Sequence, residues 1–162
     1  MAITTFSGPV RSLAGFITGT DAVAASVTSA TLVITSANGL ADAYNGETIP
    51  LNRAGGMTVT LPASTGSQAV YTFLVETTFT SSGIIQVANS TDTLNGTASV
   101  GGTTGTVFST LPAPDTITMN GSTTGGLAGS IITVRDVAAG RYTVTANLIG
   151  SGTPATPFSA AV

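Results

Sequence analysis

The segment Met57-Thr58-Val59-Thr60-Leu61 sets an apolar residue at every second position with threonine between, and Pro62 ends it. A period of two sends alternate side chains to opposite faces of an extended backbone, so one face packs on a core while the other meets solvent or a partner. The same short pattern recurs along the chain between clusters of Gly, Pro, Asn and Ser, and no window shows a helical period with caps. Further strands are expected at Thr31–Thr35, Glu47–Leu51, Ala69–Val75, Ile84–Ala88, Thr106–Leu111, Thr116–Met119, Ser130–Asp136 and Arg141–Leu148. Strands this short and this closely spaced predict an all-β fold, an antiparallel β-sandwich of jelly-roll type.

The clearest hairpin joins the last two of these strands through Val137-Ala138-Ala139-Gly140, with Tyr142, Val144, Ala146 and Leu148 alternating against Thr143, Thr145 and Asn147. Asp136 and Arg141 are then expected to face each other across its mouth, a pairing that fixes register and contributes about 0.2–1 kcal/mol. Tyr71, Phe73 and Tyr142 sit on strand faces and read as core, whereas Tyr44, in a turn-rich stretch, reads as the exposed aromatic. Asn95-Gly96 and Asn120-Gly121 each follow an apolar residue and read as turns.

Charge narrows the possible functions. Only 7% of the 162 residues are charged, against about 25% in an ordinary globular chain. With 42% hydrophobic residues the chain can bury a core, so the surface must be made mainly of Thr, Ser, Asn and Gly. Four arginines, no lysine and a net charge of −3 leave no basic face for phosphates, so nucleic acid is not an expected partner. Apolar runs such as Val70–Val75, broken by Thr72, fall far short of the roughly 18 residues a membrane helix needs, so no membrane is expected either. Met1–Thr5 has neither a basic nor an apolar signal region, and assembly in the cytoplasm is expected.

Most enzymatic chemistry lacks its materials. The chain has no His, no Cys and no Lys, which removes the usual nucleophile–base pairs, thiolates and sulfur-bound metals. A carboxylate pair of glycosidase type could draw only on Asp21, Asp42, Glu47, Glu76, Asp92, Asp115 and Asp136, and none of these sits in a distinctive motif. The oxygen-rich stretches Asp42–Glu47 and Asp92–Gly96 lack calcium-loop spacing and read as Asx turns. Gly125-Gly126-Leu127-Ala128-Gly129 lacks the Gly-Lys-Ser/Thr ending of a phosphate loop and reads as a flexible inter-strand connection. No catalytic residue, metal ligand or cofactor is expected, and matches to the glycosylation pattern at Asn89, Asn95 and Asn120 arise from composition.

The ends differ from the middle. Residues 1–21 scatter Phe6, Pro9, Val10, Arg11, Leu13 and Phe16 among glycines without a period, which predicts an extended arm ahead of a β-domain over residues 22–149. Such apolar groups need cover from the domain, a neighbouring copy or another protein. Residues 150–162, with Pro154 and Pro157 ahead of Phe158, read as a second docking segment. The expected protein-binding residues are therefore Phe6, Pro9, Val10, Arg11, Phe16 and Phe158.

Three stretches together, Phe6-Ser7-Gly8-Pro9-Val10-Arg11-Ser12, Val59-Thr60-Leu61-Pro62-Ala63 leading into Tyr71-Thr72-Phe73-Leu74-Val75, and Ile149-Gly150-Ser151-Gly152-Thr153, resemble small virion proteins of tailed phages. That resemblance is to capsid decoration, or cement, proteins. It implies a non-enzymatic structural protein on the outer capsid surface, with the major capsid protein and further copies of itself, as a trimer, for partners. The alternative implied by the same style of sequence is a tail-fibre or head-fibre domain that binds host-surface carbohydrate.

Overall fold

The computed structural model of the chain describes residues 26–35, 44–110 and 112–162, and the N-terminal arm over 1–21 lies outside them. The described residues form eleven strands and no helix: β1 Thr31–Val33, β2 Thr48–Leu51, β3 Met57–Thr60, β4 Val70–Val75, β5 Gly83–Gln86, β6 Thr93–Gly101, β7 Thr106–Ser109, β8 Thr116–Met119, β9 Ile131–Ala138, β10 Arg141–Ile149 and β11 Phe158–Ser159. The all-β expectation holds, and the nine expected strands are all present within a few residues of their expected ends.

Two sheets divide these strands in the orders β1-β3-β5-β8-β11 and β2-β4-β9-β10-β6-β7. From β1 to β5 the chain changes sheet with every strand, so neighbours within a sheet run the same way. Strands β1/β3, β3/β5 and β2/β4 pair in parallel, as do β6/β10. The expectation of purely antiparallel sheets is thereby corrected: β1, β3 and β5, and likewise β2 and β4, follow one another by crossovers through the other sheet, the kind of connection that parallel neighbours require. Antiparallel pairing is confined to β4/β9, β9/β10, β5/β8, β8/β11 and β6/β7.

Alternation positions the core. In β10 the odd positions from Arg141 to Ile149 are exposed and Tyr142, Val144, Ala146 and Leu148 are buried. Both sheets feed one apolar cluster, with Val59, Ile85, Ile117 and Met119 from the first and Tyr71, Phe73, Val100, Ile132 and Val134 from the second. Tyr71, Phe73 and Tyr142 are buried as expected, while Tyr44 is half-buried against the core rather than exposed.

Strand β6 has no counterpart among the expected strands, because Asn95-Gly96 reads as a turn. Asn95 and Gly96 instead run through the middle of β6, paired with Thr143 and Val144 of β10. A Cβ at position 96 would overlap the Val144 carbonyl, so the glycine serves a close strand approach and not a turn. Asn120-Gly121 does turn, with the Asn120 side-chain oxygen accepting from the amides of Ser122 (2.8 Å) and Thr124 (3.1 Å).

The β9–β10 hairpin is tighter than expected. Ala139-Gly140 alone makes the loop, with Gly140 at φ +77°, and the register shifts by one between Arg141 and Tyr142. Arg141 therefore lies opposite Ala138, and Asp136 lies opposite Tyr142. The expected Asp136–Arg141 pairing is corrected: Asp136 continues the inward alternation of Ile132 and Val134, at 2% exposure, while Arg141 precedes the inward Tyr142 and stays outside.

Candidate interaction surface

The outer face of the six-stranded sheet is set by register. Thr48 lies beside Thr72, Thr72 beside Thr133, Thr133 beside Thr145, Thr145 beside Thr97, and Thr97 beside Ser109. One row of hydroxyl side chains thus crosses all six strands on the solvent side. The next row runs Pro50, Leu74, Ile131, Asn147, Ser99, Val107, apolar over its first three strands and polar at Asn147 and Ser99 before the apolar Val107 at the edge. Ile131, Ile149 and Val107 are among the few large apolar side chains left exposed. Among the outward residues of these strands only Arg135 and Arg141 are charged. Depletion of charge, with Ile131 and Val107 exposed, is shared with the centres of protein interfaces, whereas the hydroxyls are not themselves an interface signature.

This row could not be found by reading along the chain. Each threonine is merely the polar half of a local alternation. What aligns them is the pairing of strands distant in sequence, including the parallel β2/β4 and β6/β10 pairs.

The carboxylates are put to a different use. Asp136 Oδ1 accepts from the Ser64 hydroxyl (2.8 Å) and the Gly66 amide (2.8 Å), and Oδ2 from the Ser67 hydroxyl (2.7 Å) and amide (2.9 Å) and the Thr65 amide (3.1 Å). Burial pushes its carboxyl up, but the donors from Ser67, Ser64 and Thr65 outweigh burial and hold the pKa down at about 2. Next to it, Asp92 Oδ2 accepts from the Ser64 amide (2.8 Å) and the Asn89 side chain (2.9 Å). Asp136 thereby clamps the 62–69 connection between β3 and β4 onto the β9–β10 hairpin, and Asp92 ties the same connection to the turn ahead of β6. The Tyr142 hydroxyl adds a bond to the Pro62 carbonyl at 2.8 Å.

The clamp is unsuited to catalysis. A carboxylate held near pKa 2 and saturated by donors is a poor base, and the Ser64 hydroxyl, which also accepts from the Arg141 amide at 3.0 Å, is buried. Asp115 plays a third anchoring part, accepting from the Ala161 amide (2.7 Å), the Val162 amide (3.3 Å) and the Thr116 hydroxyl (2.7 Å). Burial pushes this carboxyl up too, and the same donors bring it below its ordinary value. Among the described residues no three of His, Cys, Asp and Glu converge as a metal site would require. The 125–129 connection is an inter-strand loop as expected, yet it is pinned by Phe79 N to Gly126 O (3.0 Å), Leu127 N to Ile149 O (3.0 Å) and Gly129 N to Val75 O (2.8 Å).

Of the expected protein-binding residues, Phe6, Pro9, Val10, Arg11 and Phe16 lie outside the described residues. Phe158 is buried in the chain's own core, where β11 pairs with Ile117 of β8. Residues 155–162 lie back along the five-stranded sheet by Thr118 N to Pro157 O (2.8 Å) and the bonds to Asp115. No family model, curated protein or solved structure matches the chain.

Proposed function

We propose that this chain is a structural protein that works by packing against other protein surfaces, as a decoration protein on the outside of a phage capsid. The observation that carries the protein-packing part is the weakly charged outer face of the six-stranded sheet, with its continuous hydroxyl row and the apolar patch of Pro50, Leu74 and Ile131. The capsid part rests on the resemblance of residues 6–12, 59–63, 71–75 and 149–153 to such proteins. In this reading the sheet face lies on the major capsid protein, and the arm, through Phe6, Pro9, Val10, Arg11 and Phe16, reaches along the same shell to a neighbour. The fibre alternative draws less support, because a sugar platform needs an exposed aromatic ring. Among the described residues Tyr71, Phe73, Phe79, Tyr142 and Phe158 are buried, and Tyr44 and Phe108 pack partly against the core.

The test is attachment of purified protein to capsids of the encoding phage stripped of it, read by co-sedimentation. Thr145→Glu places a charge at the centre of the hydroxyl row without touching the core, and at least a tenfold loss of binding with an unchanged circular dichroism spectrum is expected. Undiminished binding of that variant removes the sheet face as the contact.

A further inference from the structure

The two sheets have four edges, and three are closed in recognisable ways. Strand β2 contains Pro50, and Val27 covers its flank through Val27 N to Pro50 O and Asn52 N to Val27 O, both 2.8 Å. Strand β11 is two residues long. Strand β1 is three residues long, and its Thr31 carbonyl accepts the Ser29 hydroxyl at 2.7 Å. Short length, proline and local cover are the usual means of keeping an edge from pairing with another chain.

Strand β7, Thr106–Ser109, has none of these. No charged residue occurs between Gly101 and Pro114, no proline interrupts the strand, and Val107 is 67% exposed. The direction of its backbone groups follows from register. Thr110 N donates to Gly96 O at 3.0 Å, so the hydrogen-bonded positions facing β6 are Thr110, Phe108 and Thr106. The N–H and C=O groups of Val107 and Ser109 therefore point away from the sheet, and among the described residues nothing takes them up.

We infer that β7 is a self-association edge, and that its occupant is β7 of a second copy of this chain, run antiparallel about a two-fold axis at Phe108. The strand is complementary to itself in that arrangement. Val107 comes opposite Ser109 of the second copy, and both of these positions carry the outward backbone groups, so two such pairs make four hydrogen bonds. Phe108 comes opposite Phe108 in the closer, non-hydrogen-bonded pair. Each ring is partly buried against its own core, and the pairing brings the two rings together and covers more of them. No like charges approach, since the edge has none, whereas an unrelated protein edge would ordinarily bring its own guarding charges. The axis is two-fold, in place of the three-fold closure expected from the resemblance. A four-residue edge is a small contact, so association is weak in solution and gains strength where copies are held close together.

This inference stands apart from the capsid reading, and its test needs no capsid. Sedimentation equilibrium of the full chain up to on the order of 1 mM should show a reversible monomer–dimer equilibrium, with dimer predominating at the upper end. Val107→Lys should shift that equilibrium at least tenfold toward monomer while leaving the circular dichroism spectrum unchanged. The chain has no cysteine, so pairing can be read by cross-linking. An oxidised mixture of Val107→Cys and Ser109→Cys proteins, one carrying a mass tag, should give mostly the mixed covalent dimer, and each variant alone several-fold less. A wild-type chain that stays monomeric throughout, a Val107→Lys protein that dimerises as well as wild type, or equal cross-linking of single variants and mixture would each overturn the inference. None of those results would bear on attachment through Thr145.

Discussion

The central hairpin of the six-stranded sheet and the strand at its edge are held in opposite ways. At the β9–β10 hairpin two buried aspartates gather hydroxyls and amides from Ser64, Thr65, Gly66, Ser67 and Asn89, and the connection they hold is fixed from several directions. At β7, among the described residues, the ladder to β6 and a half-buried Phe108 hold the strand, and nothing takes up its outward groups. A chain with seven carboxylates has committed three of them, Asp92, Asp115 and Asp136, to internal anchoring. Polar order in this fold is concentrated where loops must be fixed and withheld from the surfaces offered outward.

If that contrast is right, the largest loss of stability should follow removal of Asp136. Asp136→Ala strands several buried donors at once, each costing about 1–3 kcal/mol, so a loss of at least about 3 kcal/mol in urea denaturation is expected. A loss below about 1 kcal/mol would show that the loop relaxes to water and that the clamp is not a clamp.

Acid should reproduce part of that loss. Asp136 has a folded pKa of about 2, below the roughly 3.9 of an unfolded aspartate, so its contribution is complete above about pH 4 and disappears as pH falls through about 2. The expected decline is about 2–3 kcal/mol as the pH falls through that window, steeper than in Asp136→Asn, which has no carboxyl to protonate there. Equal acid sensitivity in the two proteins would assign the decline to other groups.

The smallest effect should come from the edge strand. Val107→Thr leaves the fold's stability within about 0.5 kcal/mol of wild type, because an exposed position on an edge strand contributes little to the folded monomer. A loss above about 1 kcal/mol would mean that β7 is held by more than its ladder.

How much of this was legible in the sequence depends on the range of the interactions. Met57–Thr60, Val70–Val75 and Arg141–Ile149 announce themselves because alternation is local, and burial of Tyr71, Phe73 and Tyr142 follows from it. The Asp136–Arg141 expectation failed by one residue: alternation puts Asp136 on the face of Ile132 and Val134 and Arg141 on the other, and the register shift at the hairpin sets Asp136 opposite Tyr142. β6 was hidden by an Asn-Gly pair whose glycine answers to Val144, far along the chain. The hydroxyl row was invisible for the same reason, being a property of six strands at once. Phe158 was legible as an apolar group in need of a pocket, but not as one whose pocket is its own core.

The winding of the first five strands between two sheets bears on how the chain reaches this state. In β1 to β5 no strand neighbours the one before it, and the partners lie about 25 residues apart, Thr31 beside Thr58, Thr48 beside Thr72 and Met57 beside Gly83. Each pairing must close a long loop before any contact rewards it, which raises contact order and slows folding. The β9–β10 hairpin, closed by Ala139-Gly140, needs no such loop. Order should therefore begin at the C-terminal half and spread backward, with the N-terminal strands wound on last; on a ribosome the first half of this protein would wait, unpaired, for the second.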